Sequence, residues 1–452
     1  MTATRHTQDE TVHAMTRRGF LRRGAMAGLT AAAAPMVLRS GVLAANGNPG
    51  ANDRLAIGLI GAGAMGPGLA RNMSFEDDVA IAAVADVDLD KAGPVADDHG
   101  ADAYQDYREF LERGDIDAVI IATPEHWHGL PAIHAAQAGK DIYCEKPISL
   151  TVREGRLMAD AVRKYERVFQ TGSQDRSRDA NHTGCMLIRN GRIGEIKRVI
   201  AHNHASPEYN GLPGEAVPEA LDWDMWCGPV QPHPFHPQFR EVRGWVTFRD
   251  FGGHSMTSNG THGMDQIQWA LGMEEGGPIE VWTEGEPYDP PTRREPMLEQ
   301  ALPIQQRPKV FMRYPGGIEM ELGDAPLWGG RFIGEEGELT IDRGEIRSDP
   351  AELAEEPLED PEVEVQHSEH HYRNWLDCIK TREDPIAHVE VGHRSATVCH
   401  LANIARWVSE VTGETGEVLK WDPEKEEFTN SQWGNHFLDR PRRKEYDFPE
   451  RI

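Results

Sequence analysis

Residues 55–66 read Leu55-Ala56-Ile57-Gly58-Leu59-Ile60-Gly61-Ala62-Gly63-Ala64-Met65-Gly66, and this stretch decides the fold. Leu55, Ile57, Leu59 and Ile60 form a short apolar run of the kind that fills a strand buried on both faces. The run breaks into Gly61, Gly63 and Gly66, a G-x-G-x-x-G spacing, and Leu69–Met73 continues with helix-compatible residues. Each glycine has its own physical task. Gly61 permits a tight turn, Gly63 has no Cβ to hold a pyrophosphate off, and Gly66 lets the helix pack close to the strand. The helix N-terminus then offers free N–H groups and the positive end of its dipole to phosphate. A second apolar run, Val79–Ala85, ends at Asp86, 20 residues beyond Gly66, where a carboxylate that accepts from a ribose hydroxyl belongs. This order predicts a dinucleotide site lined by Gly61, Gly63, Ala64, Met65, Gly66 and Asp86.

Outward from this unit, strand and helix patterns keep alternating. Helical character is expected over Leu89–His99 and over Arg108–Arg113. A buried strand over Asp117–Ala122 stops at Thr123-Pro124, because proline cannot donate to a ladder. A helix over Gly129–Ala138, a strand over Asp141–Cys144 ending in Glu145-Lys146-Pro147, a helix over Val152–Tyr165 and a strand over Arg167–Thr171 complete the βαβ units of a parallel sheet.

Beyond Gly172 the rhythm changes. Glu195–His204 alternates as a long strand, residues 205–250 are rich in Pro, Trp and His without periodicity and read as loops, and Thr261–Leu271 is helical. Further strands are expected over Ile279–Thr283, Lys309–Tyr314 and Ile318–Leu322, with Pro315-Gly316-Gly317 turning between the last two. The acidic run Glu352–Glu364 reads as a solvated loop, and His371–Thr381 and Val391–Val411 as helices. The fold class is therefore α/β, with a dinucleotide-binding domain over residues 54–172. A C-terminal α+β domain with a mostly antiparallel open sheet follows over residues 173–452.

The chain has 452 residues, 39% hydrophobic and 27% charged, with a formal net charge of −27. Such a balance argues against nucleic acid and anionic membrane as partners. Five scattered cysteines without a C-x-x-C pair supply neither a disulfide framework nor zinc-site spacing. Thr16-Arg17-Arg18-Gly19-Phe20-Leu21-Arg22 is a twin-arginine pattern, followed by a small-residue apolar stretch, Ala25–Leu38, and a cleavage-compatible Val42-Leu43-Ala44. Residues 1–44 are thus expected to be a twin-arginine (Tat) signal and 45–53 a polar linker, placing the protein in the periplasm. The apolar stretch is too short and alanine-rich for a membrane span, and none is expected after cleavage. The twin-arginine route carries folded proteins, so a cofactor loaded before export fits it.

The glycine fingerprint, Asp86, Thr123-Pro124 with His126 and His128, and Glu145-Lys146-Pro147 together resemble the Gfo/Idh/MocA family of NAD(P)-dependent oxidoreductases. Gly191-Arg192-Ile193-Gly194-Glu195-Ile196 and Gly260-Thr261-His262-Gly263-Met264-Asp265 extend the resemblance from Arg54 to the C-terminus. It implies a Rossmann domain, a C-terminal sheet domain often used for oligomerisation (hence a homo-oligomer), and sugar or polyol substrates. It implies that Lys146 positions substrate and relays its proton. An ammonium beside a reacting hydroxyl stabilises developing alkoxide charge, which agrees with that role. It also implies a cis bond before Pro147.

His262 is the candidate general acid/base, since imidazole titrates near neutrality. Asp265, one helical turn on, is the candidate to orient it. The family usually places an aspartate four residues before this histidine; here that position is Ser258, which cannot act as a carboxylate, and Asp265 or Asp250 are the acids available instead. Thr123, Pro124, His126, His128, Glu145 and Lys146 are expected at the nicotinamide-ribose end. Gln174 and Arg176 are expected to face the cleft, Arg176 suiting an anionic or polyhydroxylated group. His204 and Trp245 complete the substrate set. His202 and His204 share a strand face but lack a third ligand, so no metal site is expected. Trp223, Trp226 and Trp245 suit either sugar stacking or packing.

The expected cofactor is NAD, because Asp86 accepts from a free ribose hydroxyl and repels a 2′-phosphate; NADP is the alternative. The leading function is hydride transfer between nicotinamide and a carbinol of a sugar, sugar derivative or cyclic polyol. Two alternatives stay open. One is elimination of a glycoside through transient oxidation by a retained NAD. The other is a non-catalytic sugar-binding relative.

Overall fold

The apolar runs of the N-terminal half become six strands: β1 (Leu55–Ile60), β2 (Val79–Ala85), β3 (Asp102–Tyr104), β4 (Ala118–Ile121), β5 (Asp141–Cys144) and β6 (Phe169–Thr171). In this computed structural model the described residues are 54–294, 305 and 307–448; the expected signal and linker lie outside them. The six strands are all parallel, in the order β3-β2-β1-β4-β5-β6. Alternate residues enter separate cores on the two faces. Ile57, Leu59 and Ile120 pack on one side, and Ile60, Val119 and Ile121 on the other. Burial on both faces is why these strands read as continuous apolar runs.

The connecting helices begin and end on local chemistry. Thr151 Oγ1 accepts from Glu154 N at 3.2 Å and Glu154 Oε2 from Leu150 N at 3.0 Å, starting the helix Val152–Lys164. Leu89–His99 ends at Gly100, whose φ of 64° is left-handed, the usual way to close a helix.

The second half builds around β7 (Ile196–His202). A small pair, β8 (Tyr209–Asn210) with the later β10 (Thr292–Arg293), stands apart from the main sheet, which takes in β9 (Glu280–Glu284). The main sheet continues with β11 (Lys309–Arg313), β12 (Glu319–Gly323), β13 (Gly330–Gly334), β14 (Glu338–Asp342) and β15 (Glu345–Asp349). It closes with β16 (Leu419–Asp422) and β17 (Glu427–Phe428). Its order is β15-β14-β13-β7-β12-β11-β9-β16-β17, and only β7 and β12 run parallel. The mostly antiparallel sheet matches the expectation. β13 to β17 were not anticipated, since β13 is broken by glycines and β14 and β15 form a polar edge hairpin. β7 stops at His202, so His204 lies past the strand end.

Residues 205–250 are largely irregular, as expected, but carry a core of their own. Trp226, Phe235, Phe239, Phe248 and Phe251 cluster there, with a short helix at Trp223–Cys227. Main-chain bonds tie this segment to the edge of the first sheet, Asp222 N to Val87 O at 2.9 Å and Leu89 N to Ala220 O at 3.1 Å. Arg240 Nε adds a bond to Asp88 Oδ2 at 2.7 Å.

The 24-residue helix Val389–Thr412 is buried along most of its length. Val389 enters a core of the first sheet while Val398, Leu401 and Ile404 enter that of the second, so one rigid element spans both. No helix among the described residues is long and apolar enough to cross a membrane, and all five cysteines are free and buried.

Candidate active site

The C-terminal ends of β1, β2, β4 and β5 open on one cleft of about 540 Å³. It lies where the strand order reverses between β1 and β4, the place where open α/β sheets take ligands. Gly61, Gly63, Ala64, Met65 and Asp86 line one end. Gly61 holds a φ of 96°, and a Cβ there would stand 2.7 Å from the Ala122 carbonyl oxygen. A Cβ on Gly66 would overlap the Gly61 carbonyl oxygen, so Gly66 serves the packing of the turn and does not itself line the cleft. A Cβ on Gly63 would meet nothing within 4 Å. The turn therefore leaves a backbone-walled cradle open to a pyrophosphate, which fits a dinucleotide. Asp86 also braces the turn: its carboxylate accepts from Ala62 N at 2.8 Å and Asp88 N at 2.9 Å, and burial raises its pKa.

Thr123 and Pro124 at the end of β4 and Glu145 and Lys146 at the end of β5 line the middle. The Lys146–Pro147 peptide is cis. His128 joins the two strand-end loops, its ring nitrogens 2.6 Å from Pro147 O and 2.9 Å from Thr123 O. His126 is placed differently from expectation. Its Nε2 meets Trp226 O at 2.9 Å and its ring packs on Phe251, so it anchors the aromatic segment outside the cleft. Gln174 does face the cleft and donates to Glu145 Oε1 at 2.9 Å.

At the far end Lys146 Nζ donates to the main-chain oxygen of Ser258 at 2.5 Å. Ser258 thus meets the lysine through its backbone, with no carboxylate at that position. His262 Nδ1 stands 3.4 Å from Asp175 Oδ2 without a hydrogen bond, and its ring meets Trp328 edge-on at 5.6 Å. Asp175 is held by Arg178 Nε at 2.7 Å and by Arg343 Nε at 3.0 Å. Arg343 in turn lies 4.0 Å over the Trp328 ring.

Burial, then the positive charges of Lys146, Arg343 and Arg178, hold the His262 imidazolium well below its ordinary pKa. Burial likewise pulls Lys146 down, against Glu145 and Glu125, which favour its charge. Glu125 also lines the cleft, accepts from Gly253 N and Thr257 Oγ1 at 2.9 Å, and is raised by burial to about 7. A neutral imidazole, a destabilised ammonium and a half-titrated carboxyl around one opening are suited to moving a hydroxyl proton.

Besides Gly66 and His126, three expected site residues lie outside the cleft. Asp265 does not orient His262, because its carboxylate takes Arg176 at 2.8 and 3.0 Å and Ser395 Oγ at 2.7 Å. Arg176 is 1% exposed, also pairs with Glu274 at 2.8 Å, and faces away from the cleft. The cause is the single 3₁₀ turn Gln174–Ser177. Residues three apart eclipse there, so Asp175 and Arg178 share the cleft side while Arg176 turns inward. His204 is buried outside the cleft, its ring 4.6 Å from His202 and its carbonyl accepting from Arg406. Asp250 pairs with His233 at 3.3 Å. Trp245 and Trp226 do line the cleft, Trp223 stacking behind Trp226. Among the described residues no three His, Cys, Asp or Glu side chains converge as a metal site.

Sequence reasoning missed Glu125, Asp175, Arg178, Trp328 and Arg343. The alternating Glu338-Leu-Thr-Ile-Asp342 stretch was the one available signal, since it announces the hairpin whose turn carries Arg343.

Comparison with known proteins bears on the same cleft. A model of the oxidoreductase family NAD-binding Rossmann fold matches residues 55–173, and that of the family's C-terminal alpha/beta domain matches 207–448. The chain belongs to the Gfo/Idh/MocA oxidoreductase family. Its cofactor domain is accordingly an NAD-binding Rossmann domain.

Among its relatives, the rhizopine catabolism protein MocA of Rhizobium meliloti is 29% identical over 49% of this chain and 58% of its own. A myo-inositol 2-dehydrogenase of Thermotoga maritima is 31% identical over 34% of this chain and 47% of its own. The chain thus spans about half the length of these relatives. A levoglucosan dehydrogenase in complex with NADH and levoglucosan shares the fold, with a TM-score of 0.56 at 18% identity, over 80% of this chain and 99% of that one.

Proposed function

We propose that this member of the Gfo/Idh/MocA family is an exported NAD-dependent oxidoreductase acting on a carbinol of a sugar, sugar derivative or cyclic polyol. The observation that carries the reading is the presence of Lys146 and His262 in the cleft that also holds the glycine turn. Residues 54–172 serve as the nucleotide half and 173–452 as the substrate half. The twin-arginine pattern in residues 1–44 supports export to the periplasm. NAD, when bound, supplies a hydride acceptor.

The chain's own residues then handle the proton. Lys146 Nζ, anchored on Ser258 O, points a donor at the substrate hydroxyl and stabilises charge developing on its oxygen. His262, held neutral by burial and then by its cationic neighbours, takes the proton, and Asp175 stands beside the imidazolium that forms. Trp245 and Trp226 supply flat apolar walls for a sugar ring.

A second reading keeps the cofactor permanently bound and uses transient oxidation to eliminate a glycoside. The observation that favours it is the aromatic segment. Residues 239–243, 245 and 246 line the cleft, and Arg240 is fastened to Asp88, just past β2. One experiment separates the readings. The purified protein is denatured and assayed for released NAD(H), and the folded protein is screened with sugars for NADH formation. Empty protein that forms NADH with added NAD supports the first reading. Stoichiometric NAD with glycoside cleavage and no net NADH supports the second. Failure to bind NAD overturns both.

A further inference from the structure

We propose that the substrate carries an oxyanion, a carboxylate or sulfate on a sugar, received by Arg178 and Arg343 beside His262 and by Arg243, which lines the same cleft. The proposal rests on the sugar-oxidoreductase reading of the cleft and narrows its substrate class.

The chain is acidic overall, with a net charge of −27. Against that background the reacting end of the cleft gathers Lys146, Arg178, Arg243 and Arg343 from four separate parts of the chain. Their charges are incompletely matched. Asp175 is shared between two guanidiniums, meeting Arg178 Nε at 2.7 Å and Arg343 Nη2 at 3.0 Å, which leaves one positive charge over. Lys146 donates to a neutral carbonyl. Arg243, exposed and held at a φ of 63°, has no ion-pair partner among the described residues.

The remaining carboxyls here are Glu125, Glu145 and the exposed Glu241, two residues from Arg243, and they offset this in part. Glu125 is raised to about 7 and Glu145 is raised by burial, so both hold protons more readily than a surface acid. The field is felt by the neighbours: Arg343 and Arg178 depress His262, and Arg243 and Arg343 depress Lys146.

Geometry makes this more than a surplus. Arg343 is fixed in orientation, its face 4.0 Å over Trp328 and its Nε and Nη2 committed to Asp175. Nη1 of Arg343 and both Nη atoms of Arg178 have no acceptor among the described residues. Planar forks so held suit a two-oxygen acceptor. The pyrophosphate does not account for them. Its cradle is the glycine turn at the other end of the cleft, whereas Arg178 and Arg343 meet at Asp175, 3.4 Å from His262.

Two consequences follow from charge alone. Burial is the first cause of the depressed His262 pKa and the nearby cations the second, so an anionic ligand offsetting Arg343 and Arg178 pushes that pKa back upward. Its affinity also falls with ionic strength, because the interaction is one of net charges at a solvent-open cleft.

The test titrates the NAD-saturated protein calorimetrically with D-glucuronate, D-galacturonate and glucose 6-sulfate, each beside its neutral parent sugar. The expected result is at least one charged probe binding about tenfold or more tighter than its parent at low salt, with the margin shrinking as salt rises. Whether the uronates or the sulfate ester hold that margin identifies the oxyanion. Arg343→Gln and, separately, the exposed Arg243→Gln should each cut the margin several-fold. Arg343→Lys should restore part of it, and NAD affinity, titrated first, reports that the fold is intact. The proposal is overturned if no charged probe exceeds its parent, or if the margin survives both glutamine variants. Sugar binding read by heat is independent of turnover. A protein that binds uronate but forms no NADH therefore fails the oxidoreductase reading while keeping this one, and one that oxidises neutral sugars with equal affinity does the reverse.

Discussion

The two ends of the cleft are built in opposite ways. The nucleotide end is main chain from consecutive residues: Gly61 to Gly66 wrap a cradle, and Asp86 holds it by accepting from two backbone N–H groups. The reacting end is side chains from distant positions. Lys146 meets Ser258 across 112 residues, and Arg343 meets Asp175 across 168. A backbone cradle tolerates changed side chains but not an added Cβ. A side-chain constellation tolerates neither loss of charge nor loss of a partner. Variants should therefore separate the two ends cleanly.

The largest expected effect breaks the reacting end alone. Lys146→Ala removes the donor at the substrate oxygen and should lower kcat by about 10²–10⁴-fold, the range for a positioned proton-transfer group. NAD affinity, read by fluorescence titration, should stay within about threefold. Turnover close to that of the parent protein would remove Lys146 from the mechanism.

Asp265→Ala sharpens the contrast between a residue that only looks catalytic and Lys146, for which a catalytic role is proposed. Asp265 sits one turn from His262, yet its carboxylate is spent on Arg176 and Ser395. Truncating it leaves a buried guanidinium with Glu274 alone, and about 3–5 kcal/mol of stability should be lost. Denaturant unfolding measures this. At a temperature where the variant remains folded, its pH–rate profile should match the parent, and a shifted profile would return Asp265 to the site.

That case shows what was legible in the sequence and what was not. β1, β2, β4 and β5 were readable nearly to the residue, because strands buried on both faces are bounded apolar runs, closed here by Gly61, by Asp86, and by the segments leading to Pro124 and Pro147. The glycine turn was readable because each glycine answers to backbone geometry. Lys146 and His262 were found through motif context.

Asp175 was passed over for its neighbours, since one 3₁₀ turn decides which of Gln174, Asp175, Arg176 and Arg178 face the cleft, and no periodicity marks so short an element. Arg343 sits in the turn between β14, whose short alternation was overlooked, and β15, a polar edge strand. Glu125 reads as a surface acid after a proline, until Thr257 and Gly253 close over it.

Gly66→Ala tests the nucleotide end. The new Cβ would overlap the Gly61 carbonyl oxygen, so the turn must shift. Overpacking of this kind costs about 1–3 kcal/mol. If that cost falls on the cradle, the Kd for NAD rises about 5- to 150-fold. Uronate binding measured without NAD should be unchanged, because no residue of the reacting end touches Gly66. Unaltered NAD affinity would mean that the turn is not the cradle.

The smallest effect concerns the seam between the ends. Arg156, on the nucleotide-side helix Val152–Lys164, pairs with Glu390 and Glu426 at 2.7 Å, and His393 also meets Glu426 at 2.6 Å. Burial opposes ionisation of both carboxyls, but it is outweighed at Glu390 by the bond and charge of Arg156 and at Glu426 by the bond from His393 and then that from Arg156, which lower each to about 2. A depressed carboxylate contributes stability that is full above its ordinary pKa near 4.5 and disappears as pH falls through that value toward 2. The carboxylates' contribution to the seam should therefore be lost between pH 4.5 and 2. Glu390→Gln should lower stability at neutral pH by about 1.5 kcal/mol, the scale of a hydrogen bond to a charged group, and flatten the acid limb. Unfolding monitored separately by NAD release and by tryptophan fluorescence locates the loss. If the seam couples the ends, both signals move together in the parent and separate in the variant near pH 4. Coincident transitions in the variant would mean that the helix Val389–Thr412, spanning both cores, joins the two ends without help from this network.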